Sequence, residues 1–228
     1  MSGNRLLDLL PEPVRDSTAL RQALTHRSAA SRHNERLEFL GDSVLNFVIA
    51  ARLYEMRPEA PEGELSRLRA ALVNKDSLAG IARERDMGAL LSLGEGERKS
   101  GGHRRDSILA DALEAVIGAV FVLEGFEATR TFVQALYAHR LEDLPSAESL
   151  KDPKTRLQEW LQRRGLETPA YRILEVSGKP HDQHFKAACH IPARDLDALG
   201  EGSSRRRAEQ AAALKALETL AATEENGA

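Results

Sequence analysis

One cysteine, Cys189, occurs in 228 residues. No intrachain disulfide can form, and a thiolate zinc site is not expected. Cys189 itself reads as a small buried apolar residue. Long apolar runs are missing too. None approaches the roughly 20 residues that span a bilayer, so no membrane segment is expected. The opening "MSGNRLLDLL" lacks the basic, apolar and small-residue order of a secretory signal, which leaves a cytoplasmic location as the expectation. Nor is positive charge in excess. The formal net charge is −3, which does not advertise a nucleic-acid ligand. Net charge hides patterning, however. Basic clusters stand at "RKSGGHRR" and "SSRRRAEQ", and either can form a phosphate-binding footprint on a nearly neutral protein.

What is present is 42% hydrophobic content, enough for a buried core in one domain or two. Most of residues 5–141 reads as helix. Apolar residues recur at three- and four-residue steps in "SRLRAALVNKDSLAGIAR" and "DSILADALEAVIGAVFVLEG". Prolines in "RPEAPEG" end the first long helix. "LGEGERKSGGH" is a glycine-rich connection, after which Asp106 or Ser107 can cap the next helix. No strand is expected in this half. Residues 143–151, within "EDLPSAESLKDP", have few large apolar side chains and read as a linker. Beyond them the pattern changes. "KTRLQEWLQRRG" is a short amphipathic helix, with Trp160 on its apolar side. "AYRILEVSG" and "HFKAACHIP" are strands, "RDLDALGEG" is a third strand or a loop, and "SSRRRAEQAAALKALETLAA" is a helix with a serine cap. That order predicts a small α+β domain over 152–222, helices on one face of an antiparallel sheet, with a tail at 223–228.

The helix "NERLEFLGDSVLNFVIA" carries Glu35, Glu38 and Asp42 three and four residues apart, so they form one stripe. Leu37, Leu40, Val44, Phe47, Val48 and Ala51 make the adjoining apolar face. "DSILADALEAVIGAV" repeats the design with Asp111 and Glu114 beside Ile108, Leu109, Leu113, Val116, Ile117 and Val120. Gly118 continues its acidic stripe and leaves room for close approach. If the two helices pack, four or five carboxylates converge, and an unpaired charge at a packed interface costs several kcal/mol. Protonation, arginine partners or a divalent cation can each relieve this. An oxygen-only donor set suits hard ions such as Mg²⁺ or Mn²⁺. Spacing alone does not choose among the three.

"HNERLEFLGDSVLNFVIA" closely resembles the signature helix of the ribonuclease III family. "EGELSRLRAALVNKDSLAGIAR" and "KSGGHRRDSILADALEAVIGAV" resemble that family's two other characteristic blocks, in the same order. The C-terminal segment resembles a double-stranded-RNA-binding domain, and the likeness covers about residues 5–222. It implies an all-α endonuclease domain over 1–142 that works as a homodimer. It also implies cleavage of double-stranded RNA with Mg²⁺ (Mn²⁺ substituting), leaving 5′-phosphate and 3′-hydroxyl ends. Processing of ribosomal-RNA precursors and maturation or decay of structured RNA are the roles implied. By motif position Glu38, Asp42, Asp111 and Glu114 are the metal-binding acids, Asp42 and Glu114 the most sensitive. Glu35 and Glu62 take supporting places in an acidic cluster on the dimer side. Phe39 is expected to enter a socket on the partner subunit. Asn74 and Lys75 fall where the family has polar residues near the site.

An A-form duplex offers a wide, shallow minor groove with 2′-hydroxyls, and a reader of it needs minor-groove contacts joined by a phosphate clamp. By resemblance Thr155, Gln158 and Glu159 on the first helix of the second domain reach one groove, and His181 in the strand-connecting loop reaches the next. Ser204, Arg205 and Arg206 match the clamp, at a helix N-terminus whose free N–H groups favour an anion. Two features depart from the pattern: Glu209 stands where many such domains have lysine, and Lys179 precedes Pro180 in the loop. Lys99, Arg104 and Arg105 are candidate phosphate contacts in the first domain. His26, His33 and His103 lack ligand spacing and read as polar surface or supporting groups. Two other classes stay open on the residues alone. One is a protein that binds double-stranded RNA without cutting it. The other is a helical Mg²⁺-dependent nucleotide pyrophosphohydrolase.

Overall fold

The computed structural model describes residues 6–146, 148–179 and 182–225. Two compact units divide the chain, Met1–Ala147 and Glu148–Ala228. The first is helical. Three short helices, α1 (Leu6–Leu9), α2 (Glu12–Arg15) and α3 (Thr18–Ala23), precede the longer α4 (Glu35–Met56), α5 (Glu62–Val73) and α6 (Lys75–Glu84). A short α7 (Glu95–Lys99) leads to α8 (Asp106–Glu142). No strand forms among the described residues of this unit, as expected; a single isolated parallel bridge joins Thr25 and Ser92.

The first stretch of α8 is the centre of this unit. From Ile108 to Val120 every residue is buried except Asp111 and Glu114, which are half-buried. A helix apolar on all sides belongs in the middle of a bundle. The two acids are therefore its only polar side chains over that stretch. Gly125, with φ 75°, interrupts α8, and the buried Thr129 hydroxyl donates to its carbonyl at 2.7 Å. Phe132, Val133, Leu136, Tyr137 and Leu141 then bury the second stretch. Arg140 forks onto Glu84 at 2.9 and 2.7 Å, joining the ends of α8 and α6. The expected side-chain cap at Asp106 or Ser107 is not formed. Arg105 occupies the cap position without a side-chain bond. Asp106 is instead the first helical residue and pairs with Arg83.

Helix α4 buries Val44, Leu45, Val48, Ile49 and Leu53. Phe47, expected on the buried face, is instead 61% exposed. The buried line therefore runs through Leu45 and Ile49, rotated away from the predicted one. The reason is backbone contact. A Cβ on Gly41 would lie 1.8 Å from the Glu114 carbonyl oxygen, and one on Gly118 would lie 2.2 Å from that of Leu37. Two glycines face each other, so α4 and α8 cross almost backbone to backbone. Their crossing point, rather than the bulkiest apolar side chains, sets which face of α4 turns inward.

The second unit is α9 (Pro153–Gln162), then a sheet of β1 (Ala170–Lys179), β2 (Asp182–Ile191) and β3 (Leu196–Gly202), then α10 (Arg205–Glu225). Neighbouring strands are antiparallel in the order β1-β2-β3, so the open strand-or-loop reading of "RDLDALGEG" resolves as a strand. Leu157 and Leu161 of α9, Cys189 and Ile191 of β2, and Ala212, Ala213 and Ala216 of α10 form one buried cluster, with Trp160 packed against it. Alanine-rich α10 lies close on the sheet because its inner face carries little volume. Cys189 is fully buried, as expected.

Candidate functional site

The α4–α8 crossing brings acids from both helices together. One carboxylate oxygen from each of Glu38, Asp111 and Glu114 lies within 4.8 Å of the others. Asp42 is not in that set. It is exposed, and Asn46 one turn on donates to its Oδ1 at 2.8 Å. Asp42 still acts through its charge. Burial first, then Asp42, Glu38 and Asp111, push the Glu114 carboxyl up to about 8. Burial and neighbouring acids raise Glu38 as well, and burial raises Asp111 against the opposing charges of His26, Arg27 and Lys75. Crowded carboxylates driven toward protonation are a set in want of a cation. Oxygen donors only, half-buried and on two rigid helices, fit a hard divalent ion.

This crowding has a consequence in ion-free protein. Glu114 ordinarily titrates at 4.5, and the folded chain keeps its proton to about 8. The unfolded chain binds fewer protons between those values, so stability falls as pH rises through that window. Thermal unfolding in chelator is expected to show a lower midpoint at about pH 9 than at about pH 6, with Mg²⁺ restoring it. A midpoint insensitive to Mg²⁺ at the higher pH would count against the cluster as an ion site.

The other acids have partners. Glu35 pairs with Arg27 at 3.2 Å and stands outside the three-acid set. Glu62, the first residue of α5, accepts from the Ser66 hydroxyl at 2.6 Å. Asn74 caps α6, accepting from the Ser77 N–H at 2.9 Å, and Lys75 acts on Asp111 through its charge. A cavity of about 630 Å³ adjoins the acids, with Glu38 and Asp111 on one side and His26, Arg27, Arg105 and Ser107 around it. Arg105 pairs with Glu97, and Lys99 with Glu95. Sequence reasoning missed Gly41, Asn46 and the cavity position of Arg27. Gly41 stands inside the acidic motif, and its spacing beside Gly118 was the available signal. Nothing in the local sequence marks Arg27, because only the fold carries its loop to α8.

Phe39 is 78% exposed, so it takes no part in this chain's own core. It shares a face of α4 with the exposed Phe47 and Tyr54, and Phe47 tilts against Phe126 at 5.5 Å. Val122 and Leu123 of α8 are exposed as well. Isolated apolar residues at a surface need no explanation, but several large exposed ones on two helices that pack together are the composition of an interaction face.

In the second unit Thr155 and Gln158 are exposed on α9. Glu159 is engaged by Lys151 at 2.7 Å and Arg163 at 3.5 Å. Ser204 caps α10 by accepting from the Arg207 N–H at 3.2 Å. Arg205 binds Glu209 at 3.0 Å and Arg206 reaches Asp152 at 3.5 Å. Glu209 is turned inward, its carboxyl held below the usual range by Lys154 and Arg205 against the effect of burial. His181 and Pro180 lie outside the described residues.

Residues 16–141 match the family described as Ribonuclease-III-like, and residues 153–220 match the double-stranded RNA binding motif. The chain is 56% identical over 208 residues to "Ribonuclease 3" of Methylococcus capsulatus, covering 91% of this chain and 90% of that one. With "Ribonuclease 3" of Vibrio cholerae it shares 51% over 217 residues, 95% and 96% of the two chains. Among solved structures, the nuclease domain of ribonuclease III from Campylobacter jejuni aligns at 42% identity and TM-score 0.55, covering 57% of this chain and 90% of that domain. A second structure of that domain, concerned with flexibility in the region of dimer formation, aligns at 41% and 0.55 over 58% and 96%. Among the described residues no helix is long and apolar enough to cross a membrane.

Proposed function

The chain belongs to the ribonuclease III family, and from that premise we propose that it is an endoribonuclease that cuts double-stranded RNA with Mg²⁺. The observation that carries this is the meeting of Glu38, Asp111 and Glu114 in a chain that also bears an RNA-binding motif. Those three acids would hold the ion, with Asp42 beside them, and cleavage would leave 5′-phosphate and 3′-hydroxyl ends. When bound, such an ion supplies Lewis acidity at phosphate oxygens and makes water a competent nucleophile at neutral pH.

The chain's own groups do the rest. Glu114 is the most perturbed of the acids, so its carboxylate depends most on a cation to stay ionised. Asn46 orients Asp42 through the 2.8 Å bond to Oδ1. Arg27 and Arg105, at the cavity beside Asp111, are placed to take phosphate oxygens of the strand being cut. Glu35, on the cavity wall, and Glu62 take supporting roles. The exposed Phe39 and its aromatic neighbours form the surface on which a second copy docks, giving a homodimer. Residues 1–142 would be the nuclease domain, 143–151 the linker and 152–222 the RNA reader, with Thr155, Gln158, Glu159, His181, Ser204, Arg205 and Arg206 on the duplex. Ribosomal-RNA precursors and other structured transcripts in the cytoplasm are the substrates this implies.

The test is incubation of a long RNA duplex, a DNA duplex of the same sequence and single-stranded RNA with wild-type protein and Mg²⁺. Only duplex RNA is expected to be cut, chelator is expected to stop it, and the new 5′ ends are expected to carry phosphate. Binding of the RNA duplex without cutting would show a non-catalytic binder. Hydrolysis of nucleoside triphosphates without cutting of RNA would show a nucleotide hydrolase.

A further inference from the structure

Two carboxylates tie together the starts of α9 and α10, and they point in opposite directions. Asp152 caps α9, accepting from the Lys154 N–H at 2.9 Å. It also crosses to α10, where it accepts from Gln210 Nε2 at 2.7 Å and faces Arg206 at 3.5 Å. Glu209, on α10, crosses back. Its Oε2 accepts from Lys154 Nζ at 2.6 Å, and its Oε1 from Arg205 Nε at 3.0 Å. Glu209 is 8% exposed, with a cation on each oxygen. Lys154 Nζ also sits 4.1 Å from the centre of the Tyr171 ring, which brings β1 into the same junction.

Stability alone does not explain this arrangement. The helices and sheet already share an apolar cluster. Replacing a buried ion pair by apolar side chains is often neutral or stabilising, and the best-attested use of such a pair is to set register. The register at stake lies between two short segments. Thr155 and Gln158 follow the Asp152 end, and Ser204 to Arg206 lead into the Glu209 end. An A-form duplex presents its 2′-hydroxyl-lined minor groove and its phosphates at spacings that a B-form duplex does not share. A reader whose two contact sets are held at one distance discriminates by shape, whereas a loose one adapts to either duplex. The same carboxylates engage Arg205 and Arg206 in the free domain, which limits shape-blind attraction to any polyanion.

We infer that Glu209 and Asp152 form a reciprocal staple that fixes the spacing of the α9 and α10 starts and thereby selects duplex RNA over duplex DNA. This rests on the reading of those two helix starts as the RNA contacts. Both acids are positioning residues, and neither needs to touch the nucleic acid.

The experiment measures dissociation constants of the full chain for RNA and DNA duplexes of identical sequence, in Ca²⁺, by fluorescence anisotropy. Removing a negative charge raises affinity for both duplexes, so the RNA-to-DNA ratio is the readout. Glu209→Gln and Asp152→Asn are each expected to lower that ratio about tenfold, the scale of coupling between contacting residues. Their combination is expected to fall short of the product of the two. Lys154→Met reaches the staple from the other helix and keeps Glu209 if Glu209→Gln fails to fold; it is expected to lower the ratio too. Lys154→Arg retains a cation for Glu209 and is expected to preserve it. Variants that move both affinities together at an unchanged ratio overturn the staple while the RNA contacts stand. A wild type that binds both duplexes alike overturns those contacts and the staple with them.

Discussion

Glu114→Gln is expected to abolish cleavage of duplex RNA and, in ion-free protein above neutral pH, to leave the chain more stable than wild type. The two effects have one cause. Glu114 is half-buried in α8, and its carboxyl is pushed up to about 8 by burial and by Asp42, Glu38 and Asp111. Without a cation, ionising it works against folding, and the amide removes that opposition while keeping the shape. The gain is expected to be on the order of 2 kcal/mol at about pH 9 and to vanish at about pH 4, where the acid is protonated folded or unfolded. With Mg²⁺ present the amide withdraws an anionic donor from the set, and turnover is expected to fall by about 10³-fold or more. Gel-shift affinity for duplex RNA in Ca²⁺ should stay within about twofold, because the contacts that position a duplex are phosphate and groove contacts made elsewhere. Lost activity together with gained stability separates this residue from one needed for folding, since a structural residue loses both. Cleavage near the wild-type rate, or a melting point lowered at high pH, would remove Glu114 from the site.

Gly41→Ala is expected to have the largest effect on folding. The added methyl would lie 1.8 Å from the Glu114 carbonyl oxygen and 2.9 Å from the Gly118 amide nitrogen. Both are backbone atoms of a central helix that is buried on all sides, so no side-chain rotation relieves the clash. The helices must separate, and overpacking of that kind costs about 3 kcal/mol or more. For a unit of this size the melting point should fall by roughly 10 °C. Because α4 carries Glu38 and α8 carries Asp111 and Glu114, separation also widens the three-acid set. Mg²⁺ should therefore stabilise the variant less than wild type, even where it folds. Gly96→Ala is the control: a Cβ there meets nothing within 4 Å. Its stability should stay within about 0.5 kcal/mol of wild type. Equal melting points for the two variants would falsify the backbone-to-backbone crossing.

The helical and α+β halves, the acidic stripes on α4 and α8, the buried Cys189 and the serine cap of α10 were all legible in the residues. Each follows from local rules: apolar spacing at three and four residues, alternation in strands, hydroxyl caps, and the carboxylates' places on a common helix face. Such rules say which side chains share a face. They do not say which neighbour that face meets or how closely. Gly41 against Gly118 decided both, because only a glycine pair lets two helix backbones touch, and that contact turned Phe47 outward with Phe39. The same crossing drew Glu38, Asp111 and Glu114 within ligand distance and left Asp42 outside that set. Glu209 is a second case. It stands where many such domains have lysine, yet it is buried, and Lys154 from another helix meets it there. Periodicity along one chain carries no information about a partner 55 positions away. Only the tertiary structure brings such groups together, and it is that distance which turns a stripe of acids into a site.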